Sequence, residues 1–137
     1  MSTEENKTII RRVYDLCTQK NLAALFELYD PGYIEHTPDG DTSLEQLKQF
    51  TPVFFAAFPD ISFTVEDTVA EGDKVAYRVT VRGTHTGRQF MGIAPTGNKI
   101  EMRNTSIKRI ANGRLAESWG TLDNLSMMRQ LGVIPKR

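Results

Sequence analysis

The first part of the chain carries apolar residues at helical spacing. Behind a capping box formed by Ser2 and Glu5, apolar side chains recur every three or four positions and predict an amphipathic helix of about 15 residues. A second helix is predicted from Leu22 to Tyr29, with Asp30-Pro31-Gly32 ending it. A short strand is predicted over residues 33–37.

A third helix is predicted to begin near residue 43 and to run to residue 58. Either Thr42 with Glu45 or Ser43 with Gln46 can form its capping box. Pro52 lies inside this segment, and proline lacks the backbone N–H that a helix interior uses. We therefore expect the helix to be kinked or split there.

From residue 59 onward the apolar period changes to two, which is typical of strands. Alternation over 61–69 and 75–82, with Glu71-Gly72-Asp73 between them, predicts an antiparallel hairpin with one face in water. Residues 83–98 hold four glycines and are predicted to form a loop over one end of the sheet. A third long strand covers 100–110, and a change of apolar parity along it predicts a β-bulge near 104–106.

The end of the chain adds a hairpin and a helix. Asn112-Gly113 predicts a tight turn into a strand over 114–121, and the helix predicted over 124–131 ends at Gly132. Helices, then a strand meander, then a closing helix indicate an α+β fold in which one strongly curved sheet forms a cone with a hollow centre. Large side chains could line this hollow as an apolar small-molecule pocket or fill an ordinary core. The candidates are Phe54, Phe58, Phe63, Tyr77, Phe90, Met91, Met102, Trp119, Met127 and Met128.

Composition restricts the classes of function. A length of 137 residues predicts a single domain over 1–137, and 17 basic against 17 acidic residues leave no net charge to attract nucleic acid or a lipid surface. No apolar run is long enough to span a membrane and the first residues do not resemble a secretory signal, so we expect a cytoplasmic protein. Cys17 is the single cysteine, which allows no internal disulfide, and we expect it in the core.

Two acidic residues near the end of the last strand are candidates for acid/base chemistry. Leu115, Glu117, Trp119 and, if the strand continues, Asp123 share one parity, which we take as the inner face. An apolar interior would equip a carboxylic acid for proton transfer near neutral pH. Asp123 fits equally well the N-cap of the following helix, and Glu117 fits an ion pair with a neighbour such as Arg103.

Three further polar residues are weaker candidates. Arg78 lies on the polar side of its strand, where a solvated role is the alternative, and His36 and His85 could act as acid/base groups or could be structural. The chain has no glycine-rich phosphate loop, zinc-protease motif, nucleophile elbow or dinucleotide fingerprint, and its two histidines have no metal-ligand spacing. We therefore expect a site without metal or cofactor.

Short motifs over nearly the whole length carry a resemblance to a known family. The motifs are residues 33–38, Ala57-Phe58-Pro59-Asp60, the hairpin 65–78, Gly83-Thr84-His85-Thr86-Gly87, residues 91–97, Glu117-Ser118-Trp119 through Asp123, and residues 129–132. Together they resemble the SnoaL-like polyketide cyclases, also called ester cyclases. Ser118 departs from the pattern, because many relatives have histidine there.

The resemblance implies a fold, an assembly and a reaction. The fold is the nuclear transport factor 2-like cone, and the assembly is a homodimer or larger homo-oligomer formed through the sheet. Characterised relatives close a ring of an aromatic polyketide methyl ester by intramolecular aldol condensation, without metal or cofactor, with an aspartate as general acid/base. Asp123 is the position that matches this aspartate.

Our hypothesis is a cofactor-free enzyme acting on a small, largely apolar carbonyl compound. The catalytic candidates are Asp123, His36, His85 and Arg78. The substrate-binding candidates are Trp119, Tyr14, Phe54, Phe58, Tyr77, Met102 and Glu117. Two alternatives stay open: an isomerase, dehydratase or epoxide hydrolase on the same fold, and a non-catalytic module that binds a hydrophobic ligand or a protein.

Overall fold

The computed structural model describes residues 2–120 and 123–135. The helices are α1 (Thr3–Gln19), α2 (Leu22–Glu27), α3 (Leu44–Ala57) and α4 (Asn124–Gln130). The strands are β1 (Tyr29–Thr37), β2 (Gly40–Ser43), β3 (Ser62–Glu71), β4 (Lys74–Thr84), β5 (Lys99–Ala111) and β6 (Arg114–Gly120). No helix within the described ranges is long and apolar enough to cross a membrane.

The strands form one curved, mostly antiparallel sheet. Their order is β2-β1-β6-β5-β4-β3, and β1 and β6 are the parallel pair. The helix α1 packs on β3 and β4, α3 packs on β1 and β2, and α4 packs on β5. We call the side that the helices cover the inner face and the opposite side the outer face. The predicted α+β cone is confirmed.

Helix caps follow the predicted chemistry. Ser2 and Glu5 form the capping box of α1, and Ser43 with Gln46 forms that of α3, which decides between the two predicted starts. The expected split of α3 is wrong, because one helix runs through Pro52. Buried side chains on both sides of the proline, Thr51 and Phe55, keep the helix on the core despite the missing N–H.

The second helix ends earlier than predicted. Tyr29 belongs to β1, where it pairs with Leu115 of β6, and it is not the last residue of a helix. Asp30-Pro31-Gly32 lies in an irregularity of β1, between Tyr29 and Ile34. These turn residues therefore interrupt the pairing of β1 with β6, and they do not separate a helix from a strand.

The predicted bulge near residues 104–106 is wrong. The strand β5 pairs with β4 without a register shift from Lys99 to Arg109. Ile107 points to the outer face and is 41% exposed, whereas Asn104 and Lys108 are buried on the inner face. The alternation is regular, but polar residues occupy inner positions and an apolar residue occupies an outer one.

A bulge occurs instead in β6. Arg109 pairs with Glu117 and Ile110 pairs with Leu115, so Ala116 has no partner on β5. One extra residue reverses the face of every side chain beyond it. The second half of β6 therefore has the opposite parity to the one read from the sequence.

The loop over residues 85–98 is fixed to the end of α3. The backbone N–H groups of Gly87 and Arg88 donate to the carbonyl oxygens of Ala57 and Ala56, each at 3.1 Å. A Cβ atom at position 87 would overlap the carbonyl oxygen of Ala56. The close approach of two backbone segments therefore requires glycine at this position.

We expect Gly87→Ala to lower the free energy of unfolding by about 2 kcal/mol, because the methyl group forces the loop away from α3. Urea denaturation measures the change. Gly32→Ala is the matched control, since its added Cβ meets only the side chain of Asp30. Equal stability losses in the two variants would contradict the interpretation.

Candidate active site

A cavity of about 1130 Å³ lies between the inner face of the sheet and the helices. This volume slightly exceeds the usual range of about 300–1,000 Å³ for small-molecule sites. Phe50 and Leu125 line the cavity and are exposed, so they mark its opening. The aromatic side chains of its wall are Tyr14, Phe26, Tyr29, Phe50, Phe54, Phe55, Phe63, Tyr77 and Phe90.

The cavity brings together five of the predicted site residues. They are Asp123, Tyr14, Phe54, Tyr77 and Met102. The other six lie elsewhere, either on the outer face of the sheet or below the loop 85–98. They are His36, His85, Arg78, Glu117, Trp119 and Phe58.

Asp123 both caps a helix and borders the cavity. Its Oδ1 accepts the N–H of Ser126 at 3.1 Å, which is the N-cap bond of α4. Its own N–H lies 3.4 Å from Oδ1 of Asn104 on β5. Within residues 2–120 and 123–135, no side chain or backbone donor bonds to its Oδ2. The residue is exposed and borders the cavity, so it is the N-cap of α4 at the cavity wall and not the desolvated carboxyl group expected on the inner face of the last strand.

The expectation that Glu117 and Trp119 face the interior is wrong. Leu115 is buried on the inner face, but after the bulge at Ala116 it is Ser118 that points inward. Glu117 and Trp119 therefore lie on the outer face. The parity argument failed because a single unpaired residue in β6 reversed it.

His36 belongs to a polar network on this outer face. Its Nε2 lies 2.7 Å from Oε2 of Glu117, and its Nδ1 lies 2.8 Å from Oδ1 of Asp41. Arg109 Nε donates to the other oxygen of Glu117 at 3.1 Å, so Arg109 and not Arg103 is the strand partner. The His36 ring also stacks on Trp119 with a centroid distance of 5.6 Å.

The network shifts the pKa values of His36 and Glu117 in opposite directions. Hydrogen bonds from its ring to the carboxylates of Glu117 and then Asp41 raise the pKa of His36 above its ordinary value. Hydrogen bonds from His36 and then Arg109 lower the pKa of Glu117. Glu117 is therefore held as a carboxylate, the opposite of the state expected for an acid in an apolar pocket.

We expect the protein to lose stability as the pH rises above about 7. A histidine whose pKa is raised by folding contributes stability that is complete below its unfolded pKa of ~6.5 and disappears as the pH passes its folded pKa. Melting temperatures measured between about pH 6 and about pH 9 should decline in the wild type. His36→Gln should flatten this decline, and an unchanged pH profile in that variant would refute the assignment.

Arg78 and His85 have structural partners. Arg78 forms a two-pronged ion pair with Asp67, at 2.9 and 2.8 Å, on the exposed outer face. His85 is fully buried: its Nε2 lies 3.0 Å from the carbonyl oxygen of Arg88, and its Nδ1 accepts the N–H of Thr96 at 3.4 Å. The imidazole thus ties together the two ends of the loop.

Phe58 supports this loop from below. It is fully buried, and its ring centroid lies 5.1 Å from that of His85 and 5.8 Å from that of Phe90. Of these three rings, the cavity reaches only Phe90. Phe58 is therefore a core residue and not part of the wall.

A buried lysine that the sequence analysis missed lies on the inner face. Lys108 Nζ donates to the hydroxyl oxygens of Tyr33 and Ser118, each at 3.1 Å, and lies 3.7 Å from Oε1 of Glu35. The hydroxyl of Tyr33 donates in turn to Glu35 at 2.9 Å. We call these four residues the Lys108 cluster.

The Lys108 cluster holds a charged ammonium. Burial by itself lowers the pKa of Lys108, but the carboxylate of Glu35 and the hydroxyl oxygens of Tyr33 and Ser118 stabilise the charged form, and the net direction is upward. Burial raises the pKa of Tyr33 to about 12, so its phenol is neutral. The cluster is therefore a lysine–glutamate ion pair bridged by a neutral phenol.

A second polar feature lies beside the Lys108 cluster. The hydroxyl groups of Tyr14 on α1 and Tyr77 on β4 are 2.7 Å apart. Tyr14 also stacks on Phe63 with a centroid distance of 5.7 Å. Burial raises the pKa of Tyr14 well above its ordinary value, so the hydroxyl of Tyr14 is a neutral group.

The profile of the SnoaL-like polyketide cyclase family matches residues 7–131. The chain belongs to this family. The resemblance read from the short motifs is thereby confirmed.

Solved structures similar to this SnoaL-like protein come from several bacteria. IdmH from Streptomyces antibioticus, a proposed polyketide cyclase, is 34% identical, with 93% of this chain and 98% of IdmH covered and a TM-score of 0.81. AclR from Streptomyces galilaeus, a proposed hydroxylase, is 26% identical, with 99% and 86% covered and a TM-score of 0.91. No curated protein matches the sequence.

The polar groups of this SnoaL-like protein follow the inner face of β5. Asn104 lies beside Asp123, Ser106 pairs with Tyr77, and Lys108 is two residues further along the strand. At about 3.3 Å per residue, Asn104 and Lys108 are about 13 Å apart. Within residues 2–120 and 123–135, no three His, Cys, Asp or Glu side chains are grouped so as to hold a metal ion.

Proposed function

We propose that the cavity is the active site of a cyclase that closes a carbon ring by intramolecular aldol addition. The substrate is a neutral, largely apolar carbonyl compound of polyketide type, and Asp123 is the general acid/base. The position of Asp123 carries this proposal: it matches the aspartate of the family and borders an aromatic cavity. Its Oδ2 has a lone pair that no described donor occupies.

The size and lining of the cavity support this class of substrate. A volume of about 1130 Å³ accommodates a molecule of several fused rings. The aromatic wall favours flat, conjugated compounds through offset and edge-to-face contacts. A wall of this kind would also hold a flexible side chain folded against its ring, which is the main entropic requirement of ring closure.

The first step is the transfer of a proton from carbon. Asp123 Oδ2 takes a proton from the carbon between two carbonyl groups, and the electron pair of the C–H bond moves onto a carbonyl oxygen to give an enolate. The bond from Ser126 N–H to Oδ1 fixes the carboxylate while Oδ2 reacts. Proton transfer by a positioned carboxylate accounts for about 10²- to 10⁴-fold in rate.

The second step forms the ring. The enolate carbon attacks a carbonyl carbon of the same molecule, a C–C bond forms, and the electron pair of that carbonyl moves to its oxygen. The protonated Asp123 returns its proton to this alkoxide, which leaves a hydroxyl group and restores the carboxylate. Substrate and product therefore have the same elemental composition.

We infer that the predicted residues outside the cavity act on the fold and not on the substrate. His85 fixes the loop 85–98, Arg78 joins β3 to β4 through Asp67, and His36 joins the β1–β2 hairpin to β6 through Glu117. Among the described hydrogen-bond partners of these three side chains, only Asp41, which bonds to Nδ1 of His36, borders the cavity.

We also propose that a second copy of the chain packs on the outer face of the sheet. Val69, Ala76, Ile107, Trp119 and His36 are successive cross-strand partners over five strands of this face. Val69 is 69% and Ile107 is 41% exposed, and exposed apolar rows of this kind mark interaction surfaces. Size-exclusion chromatography with light scattering should give a dimer for the wild type and a monomer for Ile107→Lys.

The activity is tested by incubating the protein with an aromatic methyl ester that carries a β-dicarbonyl side chain. The proposal predicts a product of the same mass with a new ring, detected by liquid chromatography, mass spectrometry and NMR. Loss or gain of one water, without ring closure, would favour the dehydratase or epoxide hydrolase alternative. An ester that binds tightly and is recovered unchanged would favour the binding module and contradict the proposal.

A further inference from the structure

The pair of tyrosine hydroxyls in the cavity has one hydrogen more than its own bond uses. Two phenol groups carry two hydrogens, and the bond of 2.7 Å between Tyr14 and Tyr77 uses one. Within the described ranges, no other side chain or backbone group bonds to either hydroxyl. The remaining O–H is a donor that a ligand in the cavity can accept, because both residues line it.

The Lys108 cluster places a positive group next to this donor. On adjacent strands Tyr77 pairs with Ser106, and Val75 pairs with Lys108. Tyr77 and Lys108 are therefore diagonal neighbours on the inner face, within reach of long side chains. The side chain of Lys108 is only 5% exposed, so water screens the field of its ammonium group weakly.

We propose that the Tyr14–Tyr77 pair, backed by Lys108, is a binding site for the oxygen of an enol or phenol. The free O–H of the pair donates to this oxygen, and the donation strengthens as the oxygen becomes anionic. The ligand class is a neutral, weakly acidic hydroxyaromatic or enolised carbonyl compound.

The charges around the cavity favour such a neutral weak acid over a carboxylate. Glu35 already balances the charge of Lys108 at 3.7 Å, so the site offers a donor and a local positive field but no uncompensated charge. The carboxylates of Asp39, Asp41 and Asp123 also border the cavity, and Arg103 is the other basic residue of its described lining, so acidic residues outnumber basic ones. These carboxylates would repel a permanent anion on its way to the site, whereas they would not repel a neutral phenol or enol.

This site deepens the proposed function and rests on it for its role in catalysis. When Asp123 takes the proton from carbon, the electron pair moves onto the carbonyl oxygen, and the tyrosine O–H stabilises that enolate oxygen. Ser106, which faces Tyr77, is two residues from Asn104, which lies beside Asp123. The spacing of about 7 Å along β5 lets one substrate reach both Asp123 and the tyrosine pair.

Binding of 4-nitrophenol tests the site without any turnover. Its absorption band moves to longer wavelength on ionisation, so the spectrum reports the acidity of the bound phenol. We expect the wild type to make bound 4-nitrophenol about tenfold to a hundredfold more acidic than the free compound. The wild type should also bind 4-nitrophenol more tightly than 4-nitroanisole, the methyl ether that has no acidic hydrogen.

The Tyr14→Phe/Tyr77→Phe double variant removes both partners of the bond at once, which leaves neither hydroxyl unsatisfied and preserves the rings. We expect it to lose the acidity shift and the preference over 4-nitroanisole. Tyr29→Phe is the matched control, because it removes the same atom from another cavity tyrosine and should keep both effects. The two single variants identify which hydroxyl is the donor.

The result that overturns the proposal is a bound 4-nitrophenol that is no more acidic than the free compound, or a shift that survives in the double variant. Absence of binding at millimolar 4-nitrophenol also overturns it. Asp123→Asn separates this failure from that of the proposed function, since the variant should keep the spectral shift while losing ring closure. A lost shift in Asp123→Asn would place the phenol at Asp123 and not at the tyrosines.

Discussion

Asp123→Asn is expected to lower the rate of ring closure by about 10²- to 10⁴-fold, because an amide cannot accept the proton that the carboxylate takes from carbon. Asparagine is as good an N-cap as aspartate, so α4 and the shape of the cavity are expected to persist. Ligand affinity, measured by calorimetry, should change only slightly. Single-turnover kinetics then isolates the loss to the chemical step.

Asp15→Asn is the matched control for this substitution. Asp15 is an exposed carboxylate on α1 that does not border the cavity, so the same change of charge should leave the rate unaltered. An Asp123→Asn variant that turns over at the wild-type rate would exclude Asp123 as the base. Equal losses in both variants would show a general effect of charge.

Lys108→Met is expected to destabilise the fold by about 3 kcal/mol, because it leaves Glu35 without its cation in the cavity wall. The hydroxyls of Tyr33 and Ser118 each lose a donor as well. Methionine keeps most of the length of the lysine chain, so the loss reflects charge and hydrogen bonding more than packing. Urea denaturation at constant pH measures it.

Two further variants test whether the unpaired charge of Glu35 causes the loss of stability in Lys108→Met. In Lys108→Met/Glu35→Gln the unpaired charge is removed while the amide oxygen still accepts from Tyr33, and we expect a part of the stability to return. Lys99→Met removes an exposed lysine from the start of β5 and should cost little. Strictly additive losses in the double variant would mean that Lys108 and Glu35 do not interact.

Much of the fold could be predicted because local chemistry and tertiary structure agree. Asn112 and Gly113 both have positive φ, at 52° and 75°, as a tight hairpin turn requires. Gly132, with φ of 82°, follows α4 as predicted. In these places a few neighbouring residues determine the conformation, so no distant contact has to be known.

The errors that change the candidate site lie where pairing between strands decides the outcome. The unpaired Ala116 of β6 is compatible with a regular strand until the pairing with β5 and β1 is known. The consequence was large for the site, since Glu117 and Trp119 moved from the inner to the outer face. Bulges depend on the partner strand, and a single strand's alternation does not reveal them.

The Lys108 cluster was missed for a related reason. If every apolar residue of the strand faces the interior, Ile107 requires a bulge, and a bulge would turn Lys108 to the outer face. The signal in the sequence is the shared even parity of Ile100, Met102 and Ile110, which indicates a regular strand. The pairing of β5 with β4 has this parity and places Asn104, Ser106 and Lys108 on one face with Tyr77. A cavity that binds a polar ligand needs such inner polar residues, and they break the rule that buried residues are apolar.

Hydrogen–deuterium exchange at the activated carbon of a bound ligand tests the central claim most directly. An aromatic β-keto ester incubated in D₂O should take up deuterium between its carbonyl groups faster with the wild-type protein than in buffer. With Asp123→Asn the rate should fall to the buffer value while the ester still binds. A bound ester that exchanges no faster than in buffer with the wild type would contradict the claim that this cavity moves protons at carbon.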